Sequence, residues 1–304
     1  MSTVTPGPAF TPDPDWMPQH PNPSKPAFTP PPGSVDANVH VFGPGDRFPY
    51  APGRRYTPVD ASADELFALH RLLGIDRTVI VQGTAHGTDP RALIDALRRA
   101  GGKARGVAAV RPGVGDDELE ELHDAGVRGI RFTFIARLAD PLADDEYRTL
   151  AERAAARGWH VVASLEPADL VSRAGLLRDL AAPLVIDHLG RPDVAQPVDG
   201  GEFARLLQLL RDRPDAWTKV HGAERLSRSG PPGYADLIPF ARRVLEEFPD
   251  RVMWASDWPH PNMRDHMPDD GALVDLIPRY APTADLQERM LVRNPMRLYW
   301  PDEA

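Results

Sequence analysis

Val252-Met253-Trp254-Ala255-Ser256-Asp257 begins with residues that suit a buried β-strand and ends in a carboxylate. Burying an unpaired carboxylate is costly, so this run predicts that Asp257 meets charged or hydrogen-bonding partners at the carboxyl end of a strand. A buried carboxylate near imidazoles acts either as a base or as a metal ligand. We therefore interpret Asp257 as a candidate for one of these two roles.

Seven similar apolar runs precede this one, and helix-like stretches lie between them. The eight runs are 34–42, 78–83, 105–110, 129–134, 160–166, 183–189, 216–222 and 252–258. The helix-like stretches, in which apolar residues recur at i, i+3 and i+4, include 63–73, 90–100, 116–125, 146–157 and 234–247. Ser62 with Glu65 predicts a capping box for the first helix, and Asp89 with Pro90 predicts the start of the second. Short strands that alternate with helices indicate a parallel sheet with crossover helices.

Eight βα units in about 270 residues predict an α/β fold, a (β/α)8 TIM barrel over residues 34–304. A doubly wound sheet of eight parallel strands is the structural alternative. Residues 1–33 contain a dense series of prolines from Pro6 to Pro32 with few aliphatic residues, so they cannot form a core of their own. We expect a proline-rich N-terminal arm on the surface.

Composition excludes several classes of protein. The 304 residues carry a formal net charge of −9, which argues against general binding to nucleic acid or to anionic membranes. The absence of cysteine rules out disulfides, a thiolate nucleophile and a cysteine zinc site. The N-terminus does not look like a signal peptide, and no apolar run is long enough to span a membrane. We expect a cytoplasmic protein.

Polar and ionisable residues stand where the predicted strands end. In a TIM barrel the catalytic groups come from these carboxyl ends, so the barrel hypothesis joins scattered residues into one cluster. Taken singly, a histidine such as His86 or His221 is as often a core residue as a functional one. The candidates, in chain order, are Asn38, His40, His86, Arg131, Arg137, Ser164, His188, His221, Arg225, Asp257 and His260.

Several of these segments resemble the amidohydrolase superfamily, and most closely its 2-pyrone-4,6-dicarboxylate hydrolases, which act in lignin-aromatic catabolism. The first strand reads Asp36-Ala37-Asn38-Val39-His40, similar to the superfamily motif Asp-x-His-x-His, and the eighth ends in Asp257. The resemblance extends from about Pro23 to Trp300. Its most specific segments are His40 to Pro44, His86 to Asp89, Arg128 to Phe132, Ile186 to Asp193, Asp257 to Met263 and Asn294 to Trp300.

The resemblance implies a hydrolase that opens a cyclic ester without a divalent metal or other cofactor. It assigns Asp257 as the base that takes a proton from water, and His40 and His188 as the groups that polarise the lactone carbonyl. It assigns substrate carboxylates to arginines, which bind them bidentately. The matching arginines are Arg131, Arg137 and Arg225. We expect burial to raise the pKa of Asp257 towards the operating pH, because a base works best there.

Two departures from the family pattern bear on the chemistry. Asn38 replaces the first histidine of the motif, and an amide ligates metals poorly, so no zinc site is expected. Ser164 stands about where the family places a tyrosine, which indicates a related but different substrate. His221 adds an imidazole that could replace the one lost at Asn38. We place His86, Ser164, His221 and His260 among the substrate-binding residues.

Four functions remain open on this evidence. The first is a lactonase acting on a carboxylated pyrone or a muconolactone-type ring, by water activated by Asp257 and by carbonyl polarisation from the histidines and Asn38, with a small-molecule substrate as its partner. The second is a sugar-acid lactone isomerase, which would give a new lactone where a hydrolase gives an open acid. The third is a metal-dependent decarboxylase, which Asn38 argues against. The fourth is a non-catalytic paralogue that binds an aromatic acid, against which the retention of Asp257, His188 and three arginines argues.

Overall fold

The computed structural model describes residues 10–304 and shows a TIM barrel of eight parallel strands. The strands are β1 Val35–Val39, β2 Arg77–Val81, β3 Ala104–Ala108, β4 Val127–Thr133, β5 His160–Ser164, β6 Leu184–Ile186, β7 Ala216–Val220 and β8 Val252–Trp254. They are hydrogen-bonded in sequence order from β1 to β8. A doubly wound sheet would place later strands on both sides of the first, so that alternative is wrong.

Backbone hydrogen bonds between the residues that follow β1 and β8 nearly close the barrel. The N–H of His40 donates to the carbonyl of Trp258 at 2.7 Å, and the N–H of Asp257 donates to the carbonyl of Asn38 at 3.1 Å. The candidate base therefore lies directly against the first strand, although 219 residues separate it from Asn38 along the chain.

Helices follow the strands and cover the outside of the barrel. They are α1 Ala63–Leu73, α2 Arg91–Ala100, α3 Asp116–Asp124, α4 Asp144–Ala155, α5 Asp169–Ser172, α6 Ala174–Asp179, α7 Gly201–Asp212, α8 Ala223–Leu226, α9 Ile238–Glu247, α10 Asp270–Val274, α11 Ile277–Tyr280, α12 Ala284–Glu288 and α13 Asn294–Tyr299. The predicted capping box at Ser62 and Glu65 is confirmed. The predicted start of α9 at Tyr234 is wrong, because Tyr234 has φ of 39° and lies in a turn.

Several strands are shorter than the apolar runs predicted, because the chain turns sharply where they end. The run 183–189 contributes only Leu184–Ile186 to β6, and Asp187–Gly190 form a tight turn. Of the seven residues other than glycine with positive φ in the part of the chain that the structure describes, six lie after β6 or β8. A positive φ is strained for a residue with a side chain, and strained residues of this kind cluster at functional sites.

An irregularity in β1 decides which of its side chains face the barrel interior. The register between β1 and β2 shifts by one residue between Asp36 and Val39. A bulge of this kind re-aims side chains. Asp36 consequently contacts His70 of α1 outside the barrel, at 3.3 Å, whereas Asn38 contacts Asp257 on the inside, at 3.0 Å.

The barrel interior is apolar at one end and polar at the other. Valines of β2, β5 and β6 pack with Trp217 and Met253 near the amino ends of the strands, and Tyr299 and Trp300 close that end. His160 packs there against Tyr299, with 4.6 Å between ring centroids, as expected for a residue at the start of its strand. The polar side chains of the barrel interior lie at the other end, where the strands have their carboxyl ends.

The described part of the proline-rich arm, residues 10–33, runs along the outside of its own barrel. Trp16 stacks on Tyr56 with 4.7 Å between ring centroids, and the N–H of Met17 donates to the carbonyl of Met263 at 3.1 Å. Further along, the N–H groups of Ser24 and Phe28 donate to the carboxylates of Asp269 and Asp275. The predicted arm also includes residues 1–9, which lie outside the described residues.

Among the helices of residues 10–304, none combines the length and the apolar character that crossing a membrane requires.

Candidate active site

A cleft opens at the carboxyl ends of the strands and has Asp257 in its wall. Seven of the eleven predicted site residues line it: His40, Arg131, Arg137, Ser164, His188, Arg225 and Asp257. Tyr56, Arg191 and Asn262 also line it. Two wider grooves beside α2 lie near the amino ends of the strands, away from this cluster. The carboxyl-end cleft therefore best fits the position of an active site in this fold.

Asp257 is buried and accepts hydrogen bonds on both carboxylate oxygens. The Nδ2 of Asn38 donates to Oδ1 at 3.0 Å, and the Nε of Arg225 donates to Oδ2 at 2.8 Å. Arg225 is itself fixed, because its Nη1 donates to the carbonyl of Pro261 at 2.6 Å. The carboxylate is thus held in one orientation by an amide on one side and a guanidinium on the other.

Three imidazoles surround the same carboxylate. The Nε2 atoms of His40 and His188 lie 3.7 Å and 3.5 Å from its oxygens, and Nδ1 of His221 lies 3.5 Å from Oδ1. The ring of His188 packs against Gly222, where a Cβ atom would come within 2.5 Å of His188 Cδ2. Gly222 is therefore required by this close approach and by its φ of 75°.

The pKa of Asp257 is shifted in the direction opposite to the one expected from the sequence. Burial alone would raise the pKa of Asp257, but the positive charge of Arg225 and the polar contacts with the histidines lower this pKa well below its usual range. The predicted upward shift is therefore wrong for the site without substrate. Burial, with the neighbouring His221, lowers the pKa of His188 to about 4, so that His188 is neutral near pH 7.

The hydrogen bond of His40 defines which of its nitrogens can donate. Nδ1 lies 2.7 Å from the carbonyl oxygen of Val81, which can only accept, so Nδ1 carries a proton. Burial lowers the pKa of His40, and the neutral ring then presents the lone pair of Nε2 towards Asp257 and the cleft. A neutral His40 therefore accepts at the cleft, contrary to the expectation that it donates to a carbonyl.

A backbone N–H group also determines which ring nitrogen of His221 carries the proton. The N–H of His188 donates to Nε2 of His221 at 3.0 Å, so in the neutral ring the proton is on Nδ1, which faces Asp257. Burial lowers the pKa of His221, and the carboxylates of Asp187 and Asp257, at 3.7 Å and 3.5 Å, raise it by more. A second proton would also leave Nδ1 protonated. A metal at Nδ1 would therefore have to displace this proton, and the neutral ring would then carry its proton on Nε2, against the N–H of His188.

Two groups of buried side chains have the residue types of a metal site, and neither fits one. His188, His221 and Asp257 form the first group, in which the facing nitrogen of His221 carries a proton. Glu224, Asp257 and His260 form the second group. His260 places Nδ1 at 3.3 Å from Glu224 and Nε2 at 3.0 Å from Asp270. These carboxylates raise the pKa of His260 to about 10 despite burial, so the ring carries two protons and has no free lone pair.

The cleft is rich in arginines that have unused donors. Nε of Arg131 and Nη2 of Arg225 are buried without a hydrogen-bond partner among residues 10–304. Arg137 is half exposed at the rim, where it and Arg191 face Glu166 at 3.7 Å and 3.3 Å. Because an unpaired buried donor is costly, these groups are suited to an anionic ligand that completes them.

Four predicted site residues do not line the cleft. Asn38 and His221 lie behind Asp257 and contact it there. His86 is a structural residue, because its ring accepts from the N–H of Gly43 at 3.3 Å and donates to the carbonyl of Pro49 at 3.4 Å, which holds the loop after β1. His260 is fully buried between two carboxylates. None of the four can reach a ligand in the cleft.

Four polar residues of the site were not among the predicted ones, and Asn262, in the segment Asp257 to Met263, is one of them. Lys219 is fully buried inside the barrel, and its position two residues before His221 on an apolar strand was the signal that could have identified it. Arg191 lies in the segment Ile186 to Asp193 already noted for its unusual sequence. Tyr56 comes from the loop after β1, and no periodicity places it; it brings a phenol to the cleft that holds Ser164.

Comparisons with known proteins place this arrangement in a family. A family model described as amidohydrolase matches residues 35–300. A 2-pyrone-4,6-dicarboxylate hydrolase of Comamonas testosteroni is 54% identical, over 97% of this chain and 99% of that protein. A 4-sulfomuconolactone hydrolase of Hydrogenophaga intermedia is 37% identical over 92% of each chain. A D-galactarolactone isomerase of Agrobacterium fabrum is 32% identical, over 90% of this chain and 92% of that one.

A solved structure agrees with these sequence matches. The apo structure of an Agrobacterium tumefaciens protein is 31% identical and superposes with a TM-score of 0.81, covering 90% of this chain and 98% of that chain.

Proposed function

The chain belongs to the amidohydrolase superfamily, as a hydrolase of its 2-pyrone-4,6-dicarboxylate hydrolase family, and from that premise we propose that it opens a carboxylated lactone with water activated by Asp257. The observation that supports this most directly is a buried carboxylate in a cleft lined by four arginines, in a protein of net charge −9. Such a cleft is suited to a dianionic ring. 2-Pyrone-4,6-dicarboxylate is the first substrate to test.

Substrate recognition rests on the unused donors of the cleft. A carboxylate bound at Arg225 would accept from its free Nη2, and a second carboxylate could accept from Nε of Arg131. The phenol oxygen of Tyr56 accepts from the hydroxyl of Thr84 at 3.2 Å, which leaves its own proton for a ligand. Ser164 lines the same cleft with a short hydroxyl. Two carboxylates and a ring oxygen would thus each find a donor.

Arg225 also explains how a carboxylate with a lowered pKa can serve as a base. In the structure its guanidinium neutralises Asp257 through the 2.8 Å hydrogen bond. A substrate carboxylate on Nη2 would share that positive charge, and the pKa of Asp257 would rise because the attraction that lowers it is partly satisfied elsewhere. Substrate binding would therefore strengthen the base at the moment when water is in place.

The chemical steps follow from that arrangement. The water oxygen bonds to the lactone carbonyl carbon as its proton passes to Asp257, and the negative charge develops on the carbonyl oxygen. Donors at the cleft wall, such as the His188 ring and the Tyr56 hydroxyl, stabilise that charge. Collapse breaks the bond between the carbonyl carbon and the ring oxygen, and the proton held by Asp257 passes to the ring oxygen. Water is consumed and an open acid is released.

We propose that this chemistry needs no metal. The support is the donor set: His221 and His260 present protons where ligands would need lone pairs, and Asn38 presents an amide NH₂ to Asp257. Arg225 already compensates the charge of the candidate base. A divalent cation added here would meet N–H groups and the positive charge of Arg225.

A spectrophotometric ring-opening assay on 2-pyrone-4,6-dicarboxylate and a panel of lactones, with and without a chelator, tests the proposal. Chelator-resistant opening of the dicarboxylate is the expected result. Loss of activity with chelator and recovery with a divalent metal would overturn the metal-independent mechanism. Conversion of an added lactone into a new lactone, without an open acid, would favour the isomerase reading, which the relative from Agrobacterium fabrum motivates.

A further inference from the structure

Lys219 is a fully buried lysine next to the candidate base, and the reaction proposed above does not use it. Its ammonium lies inside the barrel, donates to Oδ1 of Asn38 at 3.0 Å and forms an ion pair with Asp187 at 3.0 Å. It does not line the cleft, so it has no contact with a substrate. Burying an ammonium is costly, and the two partners offset that cost only in part.

The amide of Asn38 joins Lys219 to Asp257. An asparagine amide has an oxygen on one side and an NH₂ group on the other, and a half-turn exchanges them. In the observed orientation the oxygen faces the ammonium and Nδ2 donates to Asp257 at 3.0 Å. The reverse orientation would set the amide oxygen against the carboxylate and the NH₂ group against the ammonium, and both contacts would be repulsive.

We propose that Lys219 is a positioning residue, which fixes the Asn38 amide so that it donates to Asp257 and holds this carboxylate for the attack of water. The inference rests on the proposed lactone hydrolysis. Asp187 compensates the charge of Lys219, and Arg225 compensates that of Asp257. Lys219 is therefore not needed to neutralise the base, and its effect on the reaction passes through the orientation of the amide.

The alternative is an ion pair that serves only the stability of the barrel. The two readings differ in what they predict for the carboxylate. Hydrogen bonds to the charged form of an acid lower its pKa, so loss of the Asn38 hydrogen bond must raise the pKa of Asp257. Loss of the Lys219 charge alone would also raise this pKa, because the ammonium attracts the carboxylate. The two readings are therefore separated by removing the charges of Lys219 and Asp187 together, after which a purely structural pair would leave the pKa of Asp257 unchanged.

The test is the Lys219→Met variant, assayed on the lactone that the wild type opens. We expect kcat to fall about 10- to 100-fold, because a misplaced catalytic group costs that order of rate, with KM little changed. The acid limb of kcat/KM should move to higher pH by about one unit, the effect of losing one hydrogen bond to the carboxylate. Thr218→Val is the matched control, since it removes a buried hydrogen bond to Ile186 on the outer side of the same strand. It should lower the melting temperature and leave the acid limb in place.

A double-mutant cycle with Asn38→Ala tests whether Lys219 affects kcat through the Asn38 amide. If Lys219 acts through the amide, Asn38→Ala should lose a similar factor in kcat, and the double variant should be no worse than Asn38→Ala alone. The pair Lys219→Met with Asp187→Asn removes both charges together, so that a remaining shift of the acid limb reports the amide and not the lost charge; it also serves if Lys219→Met alone does not fold. An unchanged kcat and acid limb in a folded variant, or fully additive losses, would overturn the inference while the wild-type activity stands. A wild type that opens no lactone would instead overturn the proposed function, and this inference with it.

Discussion

Two buried clusters follow β8, and their key residues, Asp257 and His260, stand only three positions apart. Asp257 has an amide, a guanidinium and three imidazoles around it and borders the cleft. His260 has a carboxylate on each nitrogen and no access to the cleft. The first cluster combines a fixed carboxylate with open space beside it, whereas in the second each ring nitrogen already has its partner.

Residue type and burial do not identify a site by themselves, as these two clusters show. Both clusters pair carboxylates with imidazole, and both shift a pKa strongly, downwards at Asp257 and upwards at His260. A functional group must, in addition, lie beside a cleft that a ligand can enter. The first cluster meets this condition, because Asp257 and Arg225 line the cleft and Nη2 of Arg225 is an unused hydrogen-bond donor. The comparison therefore predicts that changes in the first cluster alter catalysis and that changes in the second alter stability.

The largest effect is expected from Asp257→Asn. An amide cannot take the proton of water, so kcat should fall about 10²- to 10⁴-fold, the usual contribution of general acid–base catalysis. Circular dichroism should show a folded barrel. The matched change in the second cluster, Asp270→Asn, should leave kcat nearly unchanged. A substantial residual turnover in Asp257→Asn would show that another group is the base.

Arg225→Met should have the next largest effect and should depend on the substrate. Losing charge-assisted hydrogen bonds to a carboxylate costs about 1.5–3 kcal/mol, so kcat/KM for a carboxylated lactone should fall about 10- to 150-fold. Uncharged lactones should lose less. Arg137→Met at the exposed rim is the comparison variant and should lose less on the same substrate. Equal losses on charged and uncharged lactones would contradict the role of Arg225.

The second cluster should make the protein less stable as the pH rises from neutral. The pKa of His260, raised to about 10, exceeds that of an unfolded histidine near 6.5, so the folded protein holds a proton that the unfolded chain has lost. Between these values the free energy of unfolding should fall by about 1.4 kcal/mol per pH unit from this group. Denaturant titrations from pH 7 to 9 measure the slope. Asp270→Asn should make it shallower; an identical slope would assign it to other groups.

The smallest expected effect is a displacement between two pH profiles. The acid limb of kcat/KM reports the free enzyme, and that of kcat reports the complex with substrate. Because a bound carboxylate would share the charge of Arg225, the limb of kcat should lie at higher pH than the limb of kcat/KM, by about one unit. Coincident limbs would mean that substrate binding does not release Asp257 from Arg225.

Local patterns in the sequence were sufficient for the fold and for much of the site. The helix Ala63–Leu73 and its cap at Ser62 follow from residues within one turn of each other. The eight βα units follow from the alternation of short apolar runs with helical periodicity, and the barrel rule then brings the strand ends together. Seven of the eleven predicted site residues line the cleft for this reason. These features depend on short-range spacing, which a single sequence displays.

Contacts between polar side chains that are distant in the sequence could be seen only in the folded structure. The bulge in β1 sends Asp36 outwards and Asn38 inwards, although strict alternation would put both on one face. Lys219 acquires its partners from β1 and the turn after β6, and Arg225 lowers the pKa of a carboxylate 32 residues away. Register shifts, hydrogen-bond partners and pKa values depend on atoms brought together from distant parts of the chain. The barrel and the candidate residues could therefore be predicted from local spacing, whereas the protonation of these residues and their access to the cleft depend on the folded chain.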